Sequence, residues 1–375
     1  MVFVPLVAQS AGVNSLAGFG TRGKSMGGVG TAVANDAGCF FYNPALLGKA
    51  DNFTQVGFDV LDTSFTYRDS FGREYKSNTT YFVPLVGVNY KINDDINFGF
   101  GVITPYSFGS DFEADLGLFS KLSLTNIVMA ATYDFGDFTI GAGIDAGLGK
   151  IKLIQPFYAG GMNLGSLKSD ADGWGYGWQA GILYQPNDWL NIGASYQSKI
   201  KVDLRGDSHL TSAVLGNASD DFSADFYFPA RYGLGLGLEF GKLLIAADYI
   251  FFDYSSNDAI SINYKFWPDD RMVLSWEDVD FIALGAEYKE GNWRFRTGVI
   301  YQNAAIPKET CTPLTPDADG WGMSLGLGWQ SKNFKIDTTY SYAWTEKRKV
   351  GLAYPAPGEY NMKINIYSLA MSWVF

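Results

Sequence analysis

Several segments of the sequence alternate large apolar residues with glycine or small polar residues, with a period of two. Glycine alternates with tryptophan and tyrosine in residues 173–178, with leucine in residues 233–238, and with tryptophan, methionine and leucine in residues 321–329. Successive side chains of a β-strand point to opposite faces, so each segment predicts a strand with one large apolar face and one glycine-rich face. A glycine-rich face does not suit exposure to water on a soluble sheet, but it suits the lumen of a barrel that must hold a ligand or a plug.

Fourteen runs of this kind predict an all-β fold, a transmembrane antiparallel β-barrel of about fourteen strands. The predicted strands are Phe53–Tyr67, Tyr81–Tyr90, Ile96–Tyr106, Leu122–Phe135, Phe138–Ile154, Trp174–Tyr184, Leu190–Leu204, Phe222–Phe240, Leu243–Phe252, Phe281–Tyr288, Trp293–Tyr301, Trp321–Gln330, Phe334–Trp344 and Tyr360–Phe375. Turns of two or three residues join alternate pairs of strands, and the other connections are longer. This alternation is typical of outer-membrane barrels, which have short periplasmic turns and long extracellular loops.

Composition narrows the class of function. Aromatic residues make up 16% of the chain, yet no stretch approaches the 18 consecutive apolar residues of a membrane helix. The formal net charge of -11 argues against a nucleic acid partner, which requires clustered lysine and arginine. A single histidine, His209, and two cysteines leave little basis for an enzyme or a structural metal site. We therefore expect no catalytic residues, no metal and no cofactor, and we expect Cys39 and Cys311 to remain unpaired.

The N-terminal residues divide into two predicted parts. Residues 1–10 resemble the end of a signal peptide, with a short apolar stretch before a small-x-small site; a short buried strand is the alternative. Residues 11–51 contain no clear strand, are rich in glycine and alanine, and predict an N-terminal plug in the lumen. The alternative is a disordered periplasmic tail, which would leave several aromatic residues exposed. Residues 52–375 are then the fourteen-stranded barrel.

A series of short motifs occurs in order along the chain. They are Gly-Lys-Ser-Met-Gly-Gly at residues 23–28, Ala-Asn-Asp-Ala at residues 34–37, Asn43-Pro44-Ala45, and residues 173–184, 196–201 and 316–321. Their order and spacing give the chain a resemblance to a known family, the FadL-type outer-membrane transporters of long-chain fatty acids and aromatic hydrocarbons. It implies passive uptake across the outer membrane of a Gram-negative bacterium. Apolar extracellular loops would capture the ligand, a luminal site beside the plug would bind it, and it would leave sideways through the barrel wall.

The resemblance also suggests where the plug acts as a gate. The gate would be formed by the start of the plug and by its closing motif, namely Ala11, Gly12, Val13, Asn43, Pro44 and Ala45.

A lateral opening is expected at the third strand. Pro105 has no backbone N–H and cannot complete a central ladder, so strand pairing must break near it. The opening would involve Gly99, Gly101, Thr104, Pro105 and Tyr106. The alternative is a proline at the extracellular end of the strand, beyond the membrane, and the family resemblance favours the opening.

Apolar residues in the predicted extracellular loops form candidate capture surfaces, unless they pack on one another. They are Phe157, Tyr158, Leu164, Leu167, Leu210, Val214 and Leu215.

Possible partners for a ligand carboxylate are Arg294 and Arg296 and, because its context resembles a basic stretch in the fifth strand of the family, Lys150. The alternation places the two arginines on the inner face, where pairing with a luminal acid such as Glu287 is the favoured alternative. The same alternation points Lys150 and Lys152 outward, towards lipopolysaccharide phosphates.

The expected partners are a hydrophobic small molecule, outer-membrane lipid, lipopolysaccharide and the barrel assembly machinery. The final strand, which alternates up to the terminal Phe375, resembles the signal that this machinery recognises. We expect a monomer. The alternative function is a non-specific or structural porin-like barrel, although a porin lumen should carry rings of opposing charge.

Overall fold

The alternating segments form one continuous antiparallel sheet. The computed structural model describes residues 18–159 and 161–375, so the expected signal peptide lies outside the described residues. The barrel strands, numbered in chain order, are β1 (Phe53–Asp69), β2 (Glu74–Lys91), β3 (Ile96–Phe112), β4 (Leu118–Asp134), β5 (Phe138–Ala159), β6 (Met162–Asn187), β7 (Leu190–Gln197, continued by Ile200–Thr211), β8 (Ala218–Phe228, continued by Ala230–Phe240), β9 (Leu243–Asp253), β10 (Val279–Glu290), β11 (Trp293–Gln302), β12 (Gly320–Gln330), β13 (Phe334–Thr345) and β14 (Gly358–Val374).

The remaining elements are short. Ala259–Tyr264 and Asp270–Val273 form a hairpin between β9 and β10, and Arg348–Val350 extends the connection before β14. The helices are α1 (Thr21–Ser25), α2 (Cys39–Tyr42), a 3-10 helix (Pro44–Gly48) and α3 (Glu113–Leu116). Among the described residues, no helix is long and apolar enough to cross a lipid bilayer.

The sheet closes on itself. β1 pairs with β2 on one side and with β14 on the other, from Phe53 opposite Val374 to Asp69 opposite Gly358. The prediction of a closed barrel of fourteen antiparallel strands is therefore confirmed. Closure removes the unpaired edges that a membrane-spanning sheet cannot leave in hydrocarbon.

The two faces of the wall differ as the alternation predicts. Leu234 and Leu325 on the outer face are 60% and 65% exposed, whereas the glycines between the large residues face inward. Aromatic side chains surround the barrel at the end with the short turns, as expected at a membrane interface. They include Tyr90, Phe98, Tyr133, Phe135, Phe138, Trp189, Phe240, Tyr288, Trp293 and Trp373.

The prediction of a long loop between the fifth and sixth strands is wrong. β5 and β6 continue as a paired hairpin to Ala159 and Met162. In this extension the buried positions of β6 are Leu167, Ser169 and Ala171. Because small and polar residues share the buried face with leucine, the hydrophobic period is too weak there to indicate a strand from sequence.

Candidate functional site

The N-terminal segment, residues 18–51, packs against the inner face of the barrel. An added Cβ at Gly298 would lie 2.2 Å from the backbone of Met26, and one at Gly326 would lie 2.2 Å from Ser25. An added Cβ at Gly193 would lie 2.1 Å from the carbonyl oxygen of Thr31. Glycine on the inner face therefore makes the space that this segment occupies.

Barrel side chains also satisfy backbone groups of this segment, which is almost entirely buried. Asp248 accepts hydrogen bonds from the amides of Gly30 and Thr31 at 2.8 and 2.7 Å. Gln55 accepts from the amide of Ala37 at 2.9 Å. Many other amides of the segment bond to carbonyls within it, such as Lys24 to Gly20 and Tyr42 to Gly38. The barrel side chains therefore supply partners for buried amides that the segment itself does not satisfy.

The Asn43-Pro44-Ala45 motif fixes the end of the segment against β5 and β6. The Asn43 side chain accepts from the amide of Ala45 at 3.0 Å and donates to the carbonyls of Thr31 and Ile182 at 2.9 and 3.1 Å. Proline at the first helical position and asparagine as the N-cap start the 3-10 helix. An added Cβ at Gly181 would lie 1.9 Å from Asn43 Oδ1.

Buried ion pairs tie the segment to the wall at two places. Arg22 contacts Glu287 at 3.3 Å, and Glu287 also binds Arg296 at 2.5 Å. On β1, Asp59 binds Lys24 at 2.5 Å. Burial raises the pKa of the nearby Asp36 carboxyl above its ordinary value, although the charge of Arg22 acts to lower it.

The wall has a break in pairing at β3. β2 pairs with β3 only where residues 86–91 face residues 97–102, while residues 74–85 pair with β1 alone in the described structure. On its other side β3 stays paired with β4, with a register shift between Ile103 and Tyr106. Residues 103–107 are all buried, so the in-out alternation is lost there. The break begins beside Pro105, where the missing N–H predicts it.

The five residues expected at a lateral opening divide into two groups. Thr104, Pro105 and Tyr106 lie on the unpaired stretch. Gly99 and Gly101 lie where β3 is still paired, and an added Cβ at either would lie within 3.0 Å of the Phe40 ring. These two glycines therefore make room for the N-terminal segment and not for the break in the wall.

The gate residues are only partly within the described structure. Asn43, Pro44 and Ala45 dock on the wall as given above, whereas Ala11, Gly12 and Val13 lie outside the described residues.

The thiols of Cys39 and Cys311 are both buried and free.

The expected capture residues are spread over strands and turns. Phe157, Tyr158, Leu164, Leu167 and Leu210 lie in β5, β6 and β7, and their assignment to loops is wrong because these strands extend further than expected. Phe157 and Leu167 are buried. Val214 and Leu215 lie in the turn after β7 and are 72% and 55% exposed, so they are accessible at the surface.

The three candidate cations do not come together. Lys150 is exposed on the outer face, consistent with the outward direction that the alternation indicates. Arg296 is buried and bound by both Glu287 and Asp337 at 2.5 Å, which occupies its guanidinium. Arg294 is near the short-turn end and donates to the carbonyls of Gly291 and Trp293.

A fourth cation, the buried Arg231, was not among the candidates predicted from the sequence. It is 3% exposed on the inner face of β8, where its guanidinium lies 3.7 Å from the centre of the Phe41 ring and donates to the Phe41 carbonyl. The alternation along the strand indicates this position, because Arg231 lies two and four residues before the inward glycines Gly233 and Gly235 and therefore shares their face.

Above the N-terminal segment the lumen holds an aromatic cluster. Ring centroids are 5.3 Å apart for Tyr106 and Phe228, 5.0 Å for Phe226 and Phe228, and 5.9 Å for Phe226 and Trp276. Tyr254 contacts Trp276 at 5.7 Å. Aromatic surface of this kind suits an apolar ligand, and Tyr106 connects it to the break in the wall.

Comparisons with known proteins agree with this architecture. A model of the family described as "Outer membrane protein transport protein (OMPP1/FadL/TodX)" matches residues 2–373. The long-chain fatty acid transport protein of Escherichia coli O6:H1 is 26% identical, with 94% of this chain and 90% of the relative covered. Outer membrane protein P1 of Haemophilus influenzae is 23% identical over 70% of this chain and 64% of the relative.

Two solved structures show the same fold. A Pseudomonas aeruginosa FadL homologue superposes with a TM-score of 0.86 at 19% identity, covering 95% of this chain and 98% of the homologue. The Ralstonia pickettii toluene transporter TbuX superposes with a TM-score of 0.79 at 22% identity, covering 97% of this chain and all of the transporter.

Proposed function

The chain belongs to the OMPP1/FadL/TodX family of outer membrane transport proteins, and we propose that it carries long-chain fatty acids or aromatic hydrocarbons passively across the membrane. It is a β-barrel of the Gram-negative outer membrane. The two substrate classes come from relatives named for long-chain fatty acid transport and for toluene transport. The family consists of transport proteins and not of enzymes.

In this proposal residues 11–51 are a plug that closes the lumen, and residues 52–375 are the barrel. The observations in support are the burial of residues 18–51, the glycines that make room for them, and the ion pairs of Arg22 and Lys24 with the wall. A lumen occupied in this way argues against a non-specific aqueous pore. Opening requires the plug to shift, and the Asn43-Pro44-Ala45 motif holds the end that remains anchored.

The ligand leaves sideways between β2 and β3. The observation that carries this proposal is the loss of pairing between residues 74–85 and residues 103–112. Backbone groups without a ladder partner are costly against hydrocarbon, so a wall that keeps such a break requires a reason. A route for an apolar molecule is such a reason, because the ligand then passes directly into lipid without transfer into water.

Capture takes place at the outer surface, where Val214 and Leu215 are exposed. The aromatic cluster around Phe226, Phe228 and Trp276 then receives the ligand above the plug. The proposal includes a monomer that is inserted by the barrel assembly machinery through its C-terminal strand, β14.

Uptake by cells that lack other transporters of this family tests the function. Cells expressing the protein should accumulate radiolabelled hexadecanoic acid or toluene faster than cells with an empty vector. Proteoliposomes of the purified barrel should not swell in sugar solutions. Swelling without accumulation of either probe would identify a porin-like barrel and would refute the proposal.

A further inference from the structure

The connection between β11 and β12 folds largely into the barrel. It comprises residues 303–319, at the end of the barrel with the long connections, and we call it the mouth loop. Residues 313–318 are all buried, and Cys311 and Leu314 are at most 3% exposed. Connecting segments normally run over the surface, where water satisfies their backbone groups. A connection that is buried to this degree therefore needs partners inside the barrel.

The two ends of the mouth loop are clasped together beside its own strands. Asp317 accepts hydrogen bonds from the amides of Ala305 and Ile306 at 2.8 and 3.1 Å. Asp319 accepts from the amide of Ala304 at 2.8 Å. A compact loop whose ends are held close in this way carries the residues between them as a unit.

The tip of the mouth loop is bound to the far wall. Ser110 on β3 donates to the carbonyl of Pro313 at 2.7 Å, and Ser120 on β4 donates to the carbonyl of Leu314 at 2.8 Å. Between this wall and the strands of the loop lie β13, β14, β1 and β2 on one side, and β5 to β10 on the other. The mouth loop therefore crosses almost the full width of the barrel.

The mouth loop also borders the aromatic cluster in the lumen. Thr310 donates to the carbonyl of Leu274 at 2.7 Å, in the connection that carries Trp276. The Tyr254 hydroxyl is close enough to Asp317 to interact electrostatically with it. The aromatic side chains of the cluster are at most 3% exposed, namely Phe226, Phe228, Tyr254 and Trp276. A ligand cannot reach a surface that excludes water, so part of the structure must move before the cluster is occupied.

We propose that the mouth loop is a lid on the outer end of the barrel, and that its tip detaches from Ser110 and Ser120 to admit a hydrophobic ligand. The role in uptake rests on the proposed transport function. Both bonds at the tip join a neutral hydroxyl to a neutral carbonyl, so each contributes only modestly to the closed state. The ends of the loop are held by bonds to carboxylates, which are stronger. The tip is therefore the part that opens, and the clasped ends are the hinge.

Cys311 reports the opening of the lid, because it lies near the tip and is free. Burial raises the pKa of its thiol to about 11, so the closed lid holds little of the reactive thiolate. Labelling of the full-length barrel in lipid nanodiscs with N-ethylmaleimide, followed by peptide mass spectrometry, measures Cys311 and Cys39 separately. Ser110→Ala with Ser120→Ala should label Cys311 roughly 10- to 100-fold faster, the range of two lost hydrogen bonds, and leave Cys39 unchanged.

The matched control is Ser169→Ala with Ser208→Ala. These two serines are buried and lie within hydrogen-bond distance of each other on neighbouring strands, β6 and β7, at 2.7 Å, as Ser110 and Ser120 do at 3.2 Å. The control should label Cys311 at the rate of the original chain. Equal acceleration at Cys39 and Cys311 in the test variant would indicate a general loosening of the barrel. That result would refute the lid, and so would an unchanged rate at Cys311.

Uptake tests whether the lid controls entry. At subsaturating radiolabelled hexadecanoic acid, cells with the Ser110 and Ser120 double variant should accumulate the probe severalfold faster than cells with the original chain. Faster labelling of Cys311 with unchanged uptake would refute control of entry by the lid. If the double variant fails to assemble, Ser120→Ala alone replaces it and should label Cys311 about threefold faster or more. Absence of uptake by the original chain, with the labelling result intact, would refute the proposed transport function and not the lid.

Discussion

At the residue scale, charge in the lumen is used mainly to hold the N-terminal segment. Arg296 was a candidate for binding a ligand carboxylate, but Glu287 and Asp337 already occupy it. Strand parity correctly places Arg296 on the inner face, yet parity cannot show which inward residues on neighbouring strands meet. That depends on register, which the sequence does not specify until the strands are paired.

Lys24→Met tests the contribution of a buried pair. Asp59 accepts from Lys24 and from Ser368, each at 2.5 Å, and the variant would leave its carboxylate buried with no cation. We expect a loss of about 3–5 kcal/mol in the free energy of unfolding, measured by denaturant titration of the barrel in lipid.

Two further variants make this measurement specific. The double variant Lys24→Met with Asp59→Asn should recover much of the loss, because no unpaired charge remains. Lys242→Met removes an exposed pair with Glu290 and should leave the free energy of unfolding almost unchanged, because water and salt screen an exposed ion pair. Losses that simply add in the double variant would show that Lys24 and Asp59 are not coupled.

At the element scale, the break in pairing at β3 could be predicted in part from the sequence. Pro105 predicts broken pairing because it lacks a donor, and the structure shows the break beside it. Gly99 and Gly101 were assigned to the same opening, but they contact Phe40. Glycine indicates that something approaches closely, and the sequence does not say what.

Gly181→Ala should loosen the end of the N-terminal segment. Its Cβ would lie 1.9 Å from Asn43 Oδ1 and 3.1 Å from the Pro44 ring, so the motif cannot remain docked on β6. We expect faster proteolysis within residues 40–50 of the purified barrel, whose heat-modifiable migration should persist.

Gly351→Ala is the control for that experiment, because nothing lies within 4 Å of its added Cβ. It should be cleaved as slowly as the original chain. Equal resistance of Gly181→Ala would show that the motif is not what anchors the segment.

At the scale of the whole molecule, the fold was more predictable than the site. A period of two repeated over many strands specifies which face meets lipid, and alternating short turns specify the strand order. The extended β5–β6 hairpin was missed because its buried face carries Ser169 and Ala171 beside leucine. Arg231 was missed because the alternation places it on the inner face but does not show that the N-terminal segment packs against it.

The most direct test of lateral exit is to fill the break in the wall. Ser107 is 6% exposed on the unpaired stretch of β3, so Ser107→Trp should obstruct the gap. Val102→Trp, on the outer face where β3 is still paired with Val86, is the matched control. With both barrels intact by heat-modifiable migration, uptake of radiolabelled hexadecanoic acid and toluene should fall about tenfold or more in Ser107→Trp and stay near normal in Val102→Trp. Normal uptake by an intact Ser107→Trp barrel would contradict the account, because the ligand would then have another way out.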